Sequence, residues 1–193
     1  MDSTLIFIDA GFLSELSKHF GNGKRLKFDY FKFFESLSKK EKLILKKIFY
    51  YTAPPYQSNG PNNNQILRKK GYDSFISKVR KNKLIQVKEG RAQKIIKEDG
   101  SIDYSQKGVD TLMTLDMAFS KDKFPNVKRI ILLTSDTDFC PVIEELSSFG
   151  VKTILYTYYE RKRDSKFFLS QHLVKCCSKV RFLKKGDMVK FLF

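Results

Sequence analysis

Short apolar runs recurring between helix-length segments constrain this chain's fold more than any other feature. TLIFI at 4–8 is apolar on both faces, as a strand buried between two layers must be. LILKKIFYYT at 43–52, LIQVK at 84–88, KRIILLT at 128–134 and VKTILYT at 151–157 have the same strand length. Between them lie stretches with helical spacing: 12–20, 28–37, about 64–83, 108–120 and about 139–149, the last stopping at Gly150. In the second, Phe28, Phe31, Phe34 and Leu37 recur on one side; in the third, Ile66, Phe75, Ile76 and Val79 do. Strands alternating with helices predict a parallel α/β sheet covered on both faces, in one domain over 1–193.

Local breakers set the rest. APPYQSNGPNNN, with three prolines and four asparagines, is a loop after the second strand. Asp99-Gly100 signals a two-residue hairpin turn, so a small hairpin excursion is expected near 91–106. The tail, 161–193, should add one helix and a short strand near 180–183.

Charge narrows the partners. Lys+Arg 37 against Asp+Glu 21 leaves +16. Residues 66–97 hold eleven Lys/Arg against two acids, and 161–193 hold ten against two, so the remaining chain is near neutral. Two basic segments on a neutral body suit a polyanion. Arg68, Lys69, Lys70 and Lys81 in the first, and Arg161, Lys162 and Arg163 in the second, are the candidate nucleic-acid contacts. Tyrosines at 50, 56 and 158 are candidates for stacking bases. No apolar run is long enough to span a bilayer, so no membrane is expected. The first residues lack a basic n-region and carry Asp9 within the apolar stretch, and three cysteines, two adjacent, make no disulfide framework or zinc spacing. A cytoplasmic location is expected. The sequence names no protein partner.

Chemistry concentrates in four aspartates. Asp9 is the first polar residue after strand TLIFI, and Asp136 and Asp138 follow strand IILLT at once. In an open α/β sheet the functional crevice lies beyond the carboxyl ends of the strands. Asp110 opens a helix after QKGV, which places it on that side too. Such carboxylates either cap helices or hold a metal ion; Asp138, just before a helix, has the strongest claim to a cap. Acids sharing one crevice cannot all stay ionised without a cation, and oxygen-only ligands favour Mg²⁺ or Mn²⁺. Asp116, six residues after Asp110, is turned about 240° further round its helix and should be a buried, locally paired acid. Other inventories are poor: there is no Walker A sequence, His19 and His172 have no Ser or Cys elbow, and DAGF lacks the second acid of a dehalogenase-type phosphatase.

FIDAGFL, IFYYTAPPY, QKGVDTLMTLDM and LLTSDTDFCPVIEELSSFGVKTIL occur in the order seen in the NYN-domain family of the PIN-like nuclease superfamily, which the chain resembles over 4–183. KGVD together with SDTDF carries the specificity. The resemblance implies a Rossmann-like (PIN-like) parallel sheet and a metal-dependent ribonuclease, with metal-binding acids at Asp9, Asp110 and Asp136, and Asp138 less uniform. Phe12 stands where the family often has Asn, and Cys177 or Ser178 where many relatives carry a late acid, which would weaken a second ion.

The sequence thus predicts a Mg²⁺- or Mn²⁺-dependent nuclease of single-stranded RNA. Asp9, Asp110, Asp136 and Asp138 would serve as catalytic acids and metal ligands. Thr134 and Ser135 would orient the carboxylates, and Lys107 would meet a phosphate. The alternatives are a non-catalytic nucleic-acid-binding module using 66–97 and 161–193, and an enzyme of a small phosphorylated substrate in the same crevice.

Overall fold

Each apolar run becomes a parallel strand. The computed structural model describes residues 1–162 and 165–193. In chain order its elements are β1 (Ser3–Asp9), α1 (Ala10–Phe20), α2 (Tyr30–Lys40), β2 (Ile44–Thr52), α3 (Asn63–Arg80), β3 (Ile85–Glu89), β4 (Arg91–Ile96) and β5 (Ile102–Lys107). Then follow α4 (Val109–Ala118), α5 (Ser120–Lys123), β6 (Val127–Leu133), a 3-10 turn (Thr137–Phe139), α6 (Cys140–Ser148), β7 (Lys152–Thr157), α7 (Gln171–Cys176), β8 (Lys179–Phe182) and α8 (Lys185–Val189). Among the described residues no helix is long and apolar enough to cross a membrane.

Six strands form one sheet in the order β3-β2-β1-β6-β7-β8, every neighbouring pair parallel. This is the doubly wound order, reversing direction between β1 and β6. The period-2 alternation of a strand explains why TLIFI is apolar throughout. Ile6 and Ile8 join Ile131 and Leu133 in a core with α1, α2 and α3. Leu5 and Phe7 join Ile130 and Leu132 in a second core with α4, α6 and α7. Gly150, at φ +76°, ends the α6 segment where the sequence places the stop.

Four details differ from the sequence expectation. In α2, Phe33 is fully buried and Phe31 only half-buried, so the stripe is rotated by part of a turn. In α3 only Ile76 and Val79 are buried; Ile66 is exposed, because the first turns of this basic helix stand away from the sheet. The hairpin turn is longer than two residues. Ile96 pairs with Ile102, Lys97 N–H donates to Ser101 O at 2.9 Å, and Gly100 N–H donates to Lys97 O at 2.9 Å. Gly100 takes the left-handed conformation, φ +76°, that a three-residue hairpin loop requires. Finally, the basic tail carries α8 beyond the expected helix and strand, with Met188 buried in the first core.

Phe7 fills the centre of the second core, whereas Ile96 at the hairpin tip is 69 % exposed. Phe7→Ala should therefore lower the unfolding free energy by about 3–5 kcal/mol. Ile96→Ala should stay within about 0.5 kcal/mol of the parent in the same urea titration. Comparable losses would mean that the tip is packed.

Candidate active site

The strand order switches between β1 and β6, and Asp9 and Asp136 stand at or just beyond the carboxyl ends of these two strands. Asp9 is the last residue of β1, and its Oδ1 accepts from Phe12 N–H at 3.1 Å, capping α1. A Cβ on Gly11 would lie 3.1 Å from that oxygen, so glycine there leaves the carboxylate its room. Asp9 Oδ2 accepts from Thr134 Oγ1 at 3.2 Å, and the same hydroxyl oxygen accepts from Asp136 N–H at 3.1 Å. Thr134, fully buried, thus ties the end of β1 to the turn after β6. Asp136 Oδ1 accepts from Asp138 N–H at 2.9 Å and caps the 3-10 turn.

Both caps fall on residues other than the one the sequence favoured. Asp9 and Asp136 do the capping, while Asp138 is exposed and has no side-chain hydrogen bond among the described residues. The reason is the 3-10 turn: it starts three residues before α6, so the cap position moves back from Asp138 to Asp136. Thr134 hydrogen-bonds Asp9 directly; Ser135 makes no hydrogen bond to the carboxylates among the described residues.

Charge couples the group. Burial pushes the Asp9 carboxyl up; the Phe12 N–H and Thr134 hydroxyl oppose this, Asp110 adds to it, and the net shift is upward. Asp110, in the first turn of α4, is likewise raised, first by burial and then by the negative charges of Asp136 and Asp138. Lys107 ends β5 three residues earlier and is exposed. Asp116 belongs elsewhere. It is buried and accepts from Tyr51 at 3.0 Å, with Lys123 at 3.2 Å and Lys88 at 3.3 Å. Burial pushes this carboxyl up, but these three partners outweigh it and hold the carboxyl below its ordinary value.

By donor chemistry the site suits a hard divalent cation: oxygen ligands only, with two carboxyls pushed toward protonation by their surroundings. By position it is not a closed cage. Among the described residues no three His, Cys, Asp or Glu side chains form a group that could hold an ion. Mg²⁺ tolerates this, since it keeps several waters and commonly takes one or two carboxylates plus substrate phosphates.

The basic candidates divide. Arg68, Lys69 and Lys70 lie in the first half of α3, with Lys69 engaged by Asp73 at 2.6 Å. Lys81 caps the far end of that helix, about 17 Å down the axis from Lys70, and does not join them. Arg161 and Lys162 are exposed just beyond the carboxyl end of β7; Arg163 lies outside the described residues. Tyr50 is buried, not a stacking surface, because it sits on the α3 side of β2. Two juxtapositions had no sequence signal. Tyr104 in β5 meets Tyr56, and Cys140 Sγ lies 3.2 Å from Cys176 Sγ. Burial pushes the Cys140 thiol up to about 12, so it is a packing group rather than a nucleophile.

The NYN domain family matches residues 3–183. Among solved structures, a protein of unknown function from Vibrio parahaemolyticus superposes with a TM-score of 0.60 at 21 % identity, covering 97 % of this chain and 95 % of that one. That likeness shows the fold alone. Among curated proteins no sequence matches.

The raised carboxyls of Asp9 and Asp110 bind protons more tightly in the folded than in the unfolded chain. The stability they contribute is complete below the unfolded values and is lost as pH rises through the raised folded ones. In chelator, Asp110→Asn should lose less stability over that rise and be about 0.5 kcal/mol more stable at neutral pH. Urea titrations from acidic to neutral pH check this; lower stability for Asp110→Asn would argue against crowded charge.

Proposed function

The chain belongs to the NYN-domain family, a nuclease-like family, and on that premise we propose that it is a Mg²⁺- or Mn²⁺-dependent ribonuclease of single-stranded RNA. The observation that supports the proposal is the electrostatic coupling beside the switch point: Asp9 is raised by burial and then by Asp110, and Asp110 by burial and then by Asp136 and Asp138. A divalent ion bound there would lower the pKa of the attacking water and offset charge on the scissile phosphate. Asp9 and Asp110 would be its first ligands, because they have most to gain from a cation. Asp136 keeps one carboxylate oxygen clear of its capping bond, and Asp138 adds an exposed charge. Thr134 holds Asp9 and the Asp136 backbone in one arrangement, so no reorientation is needed when substrate arrives. Lys107, Arg68, Lys70, Arg161 and Lys162 would draw the phosphate chain to this edge.

The second reading, a nucleic-acid-binding module without catalysis, is favoured by one observation: Asp9 and Asp136 already serve as caps. Cleavage separates the two. Wild type should cut single-stranded RNA with Mg²⁺ or Mn²⁺ and not in EDTA. Asp136→Asn preserves the cap acceptor but removes a charge, so turnover should fall by about two orders of magnitude or more while RNA binding survives. Equal cleavage by Asp136→Asn would move the activity away from this site.

Metal also has a reading independent of activity. An ion that binds only the folded state stabilises it by about 2.7 kcal/mol at one hundred times its dissociation constant. The melting temperature of metal-free protein should therefore rise on adding Mn²⁺, and should rise less in Asp110→Asn. No rise at millimolar Mn²⁺ would count against metal binding.

A further inference from the structure

We propose that the base of the β4–β5 hairpin, with Tyr56, is the surface on which single-stranded RNA lies as it enters the carboxylate site; this rests on the nuclease reading for the class of ligand. The two strands pair only with each other, and a ribbon of two strands is marginal alone. Here its base is fixed. Gly90 N–H donates to Thr52 O at 2.8 Å, tying the entry to the end of β2. A Cβ on Gly90 would lie 2.5 Å from Lys107 O, so the two hairpin ends close on a glycine. Gly108, φ +78°, then turns the chain directly into α4, and Asp110 follows.

The cross-strand register arranges the side chains. Lys94 faces Tyr104, so strand alternation puts both on one face of the ribbon, while Arg91 and Lys107, which pair with each other, lie on the opposite face. Tyr104 is 48 % exposed, and its ring centroid lies 5.4 Å from that of half-buried Tyr56. Two tyrosine rings, one braced against the other and partly open, form a platform on which a base can stack.

Charge says which half of the hairpin a phosphate chain would cross. The base half carries Arg91, Lys94 and Lys107 and no acid; the tip half carries Glu98, Asp99 and Asp103 against Lys97. Lys97 pairs with Asp103 at 3.2 Å, whereas among the described residues no carboxylate pairs with Arg91, Lys94 or Lys107. Glu89, one residue before Gly90, is taken up by Arg80 and Tyr72. Lys94, a cation free of ion pairs on the same face as the aromatic platform, fits a nucleic acid strand there. A protein partner would instead use the exposed Ile96 and Ile102 at the tip.

The test is equilibrium binding in EDTA of a labelled oligouridine and of an abasic ribose-phosphate strand of equal length. Tyr104→Ala should weaken oligouridine by roughly 5- to 150-fold and leave the abasic strand unchanged. Tyr104→Phe should bind as wild type, which guards against a folding artefact in the alanine variant. Lys94→Ala should weaken both strands and flatten the salt slope by about 0.7 for the phosphate no longer neutralised. Ile96→Asp should change neither. Wild-type affinity in Tyr104→Ala, or loss of RNA in Ile96→Asp instead, overturns the proposal, the latter in favour of the tip. Because no metal is present, the nuclease reading fails separately: hairpin-dependent binding without cleavage in Mg²⁺ overturns that reading and leaves the surface standing.

Discussion

A strand buried on both faces can carry polar function only at its ends, and β1 is such a strand. Leu5, Ile6, Phe7 and Ile8 are all fully buried, alternating between two separate cores. β6 beside it is the same, from Ile130 to Leu133. Nothing ionisable fits between, since an isolated charge there would cost several kcal/mol. The first places where a carboxylate becomes tolerable are Asp9 and the turn after Leu133. Parallel pairing brings those two places together, because both strands end on the same side.

Capping and metal binding draw on the same carboxylates without excluding each other. A carboxylate has about four lone-pair sites, and each capping bond uses one. The caps fix direction: Asp9 is held through both oxygens, and Asp136 through one. What the caps leave unbalanced is charge. Asp110 and Asp138 accept no hydrogen bond from the described residues, yet their charges act on one another across the site. Phe12, on the α1 turn capped by Asp9, is buried in the first core, so this position contributes packing rather than a ligand to the site.

The parts of the fold legible in sequence are those set by local chemistry. The five apolar runs, the glycine stop at 150 and the hairpin at Asp99-Gly100 each have a cause within a few residues, and each stands where expected. The placement of Asp9 and Asp136 was legible too, because parallel strands end on one side. Misplaced features depended on the third dimension. Tyr50 and Tyr51 adjoin in sequence but face different cores, and period alone could not say whether either was open to solvent. The cap shifted from Asp138 to Asp136 because a 3-10 turn, invisible to apolar spacing, precedes α6. Tyr104 pairs with Tyr56 across nearly fifty residues, and Cys140 with Cys176 across thirty-six; no spacing rule reaches that far. Lys81 was grouped with Lys69 and Lys70 by composition, but a helix separates what a charge count merges.

The strand order has a consequence for how the chain emerges from the ribosome. β1 finds β2 within about forty residues, but its other neighbour, β6, begins at Val127. At about 5–20 residues per second, roughly 6 to 24 seconds pass before that second edge can close. Throughout that interval the nascent protein presents Leu5 to Ile8 along an unpaired, wholly apolar edge, the kind of template on which chains aggregate. The strand that later carries Asp9 to its place is therefore the one most in need of shelter during synthesis, and the pairing that completes the site is also the one that ends that exposure.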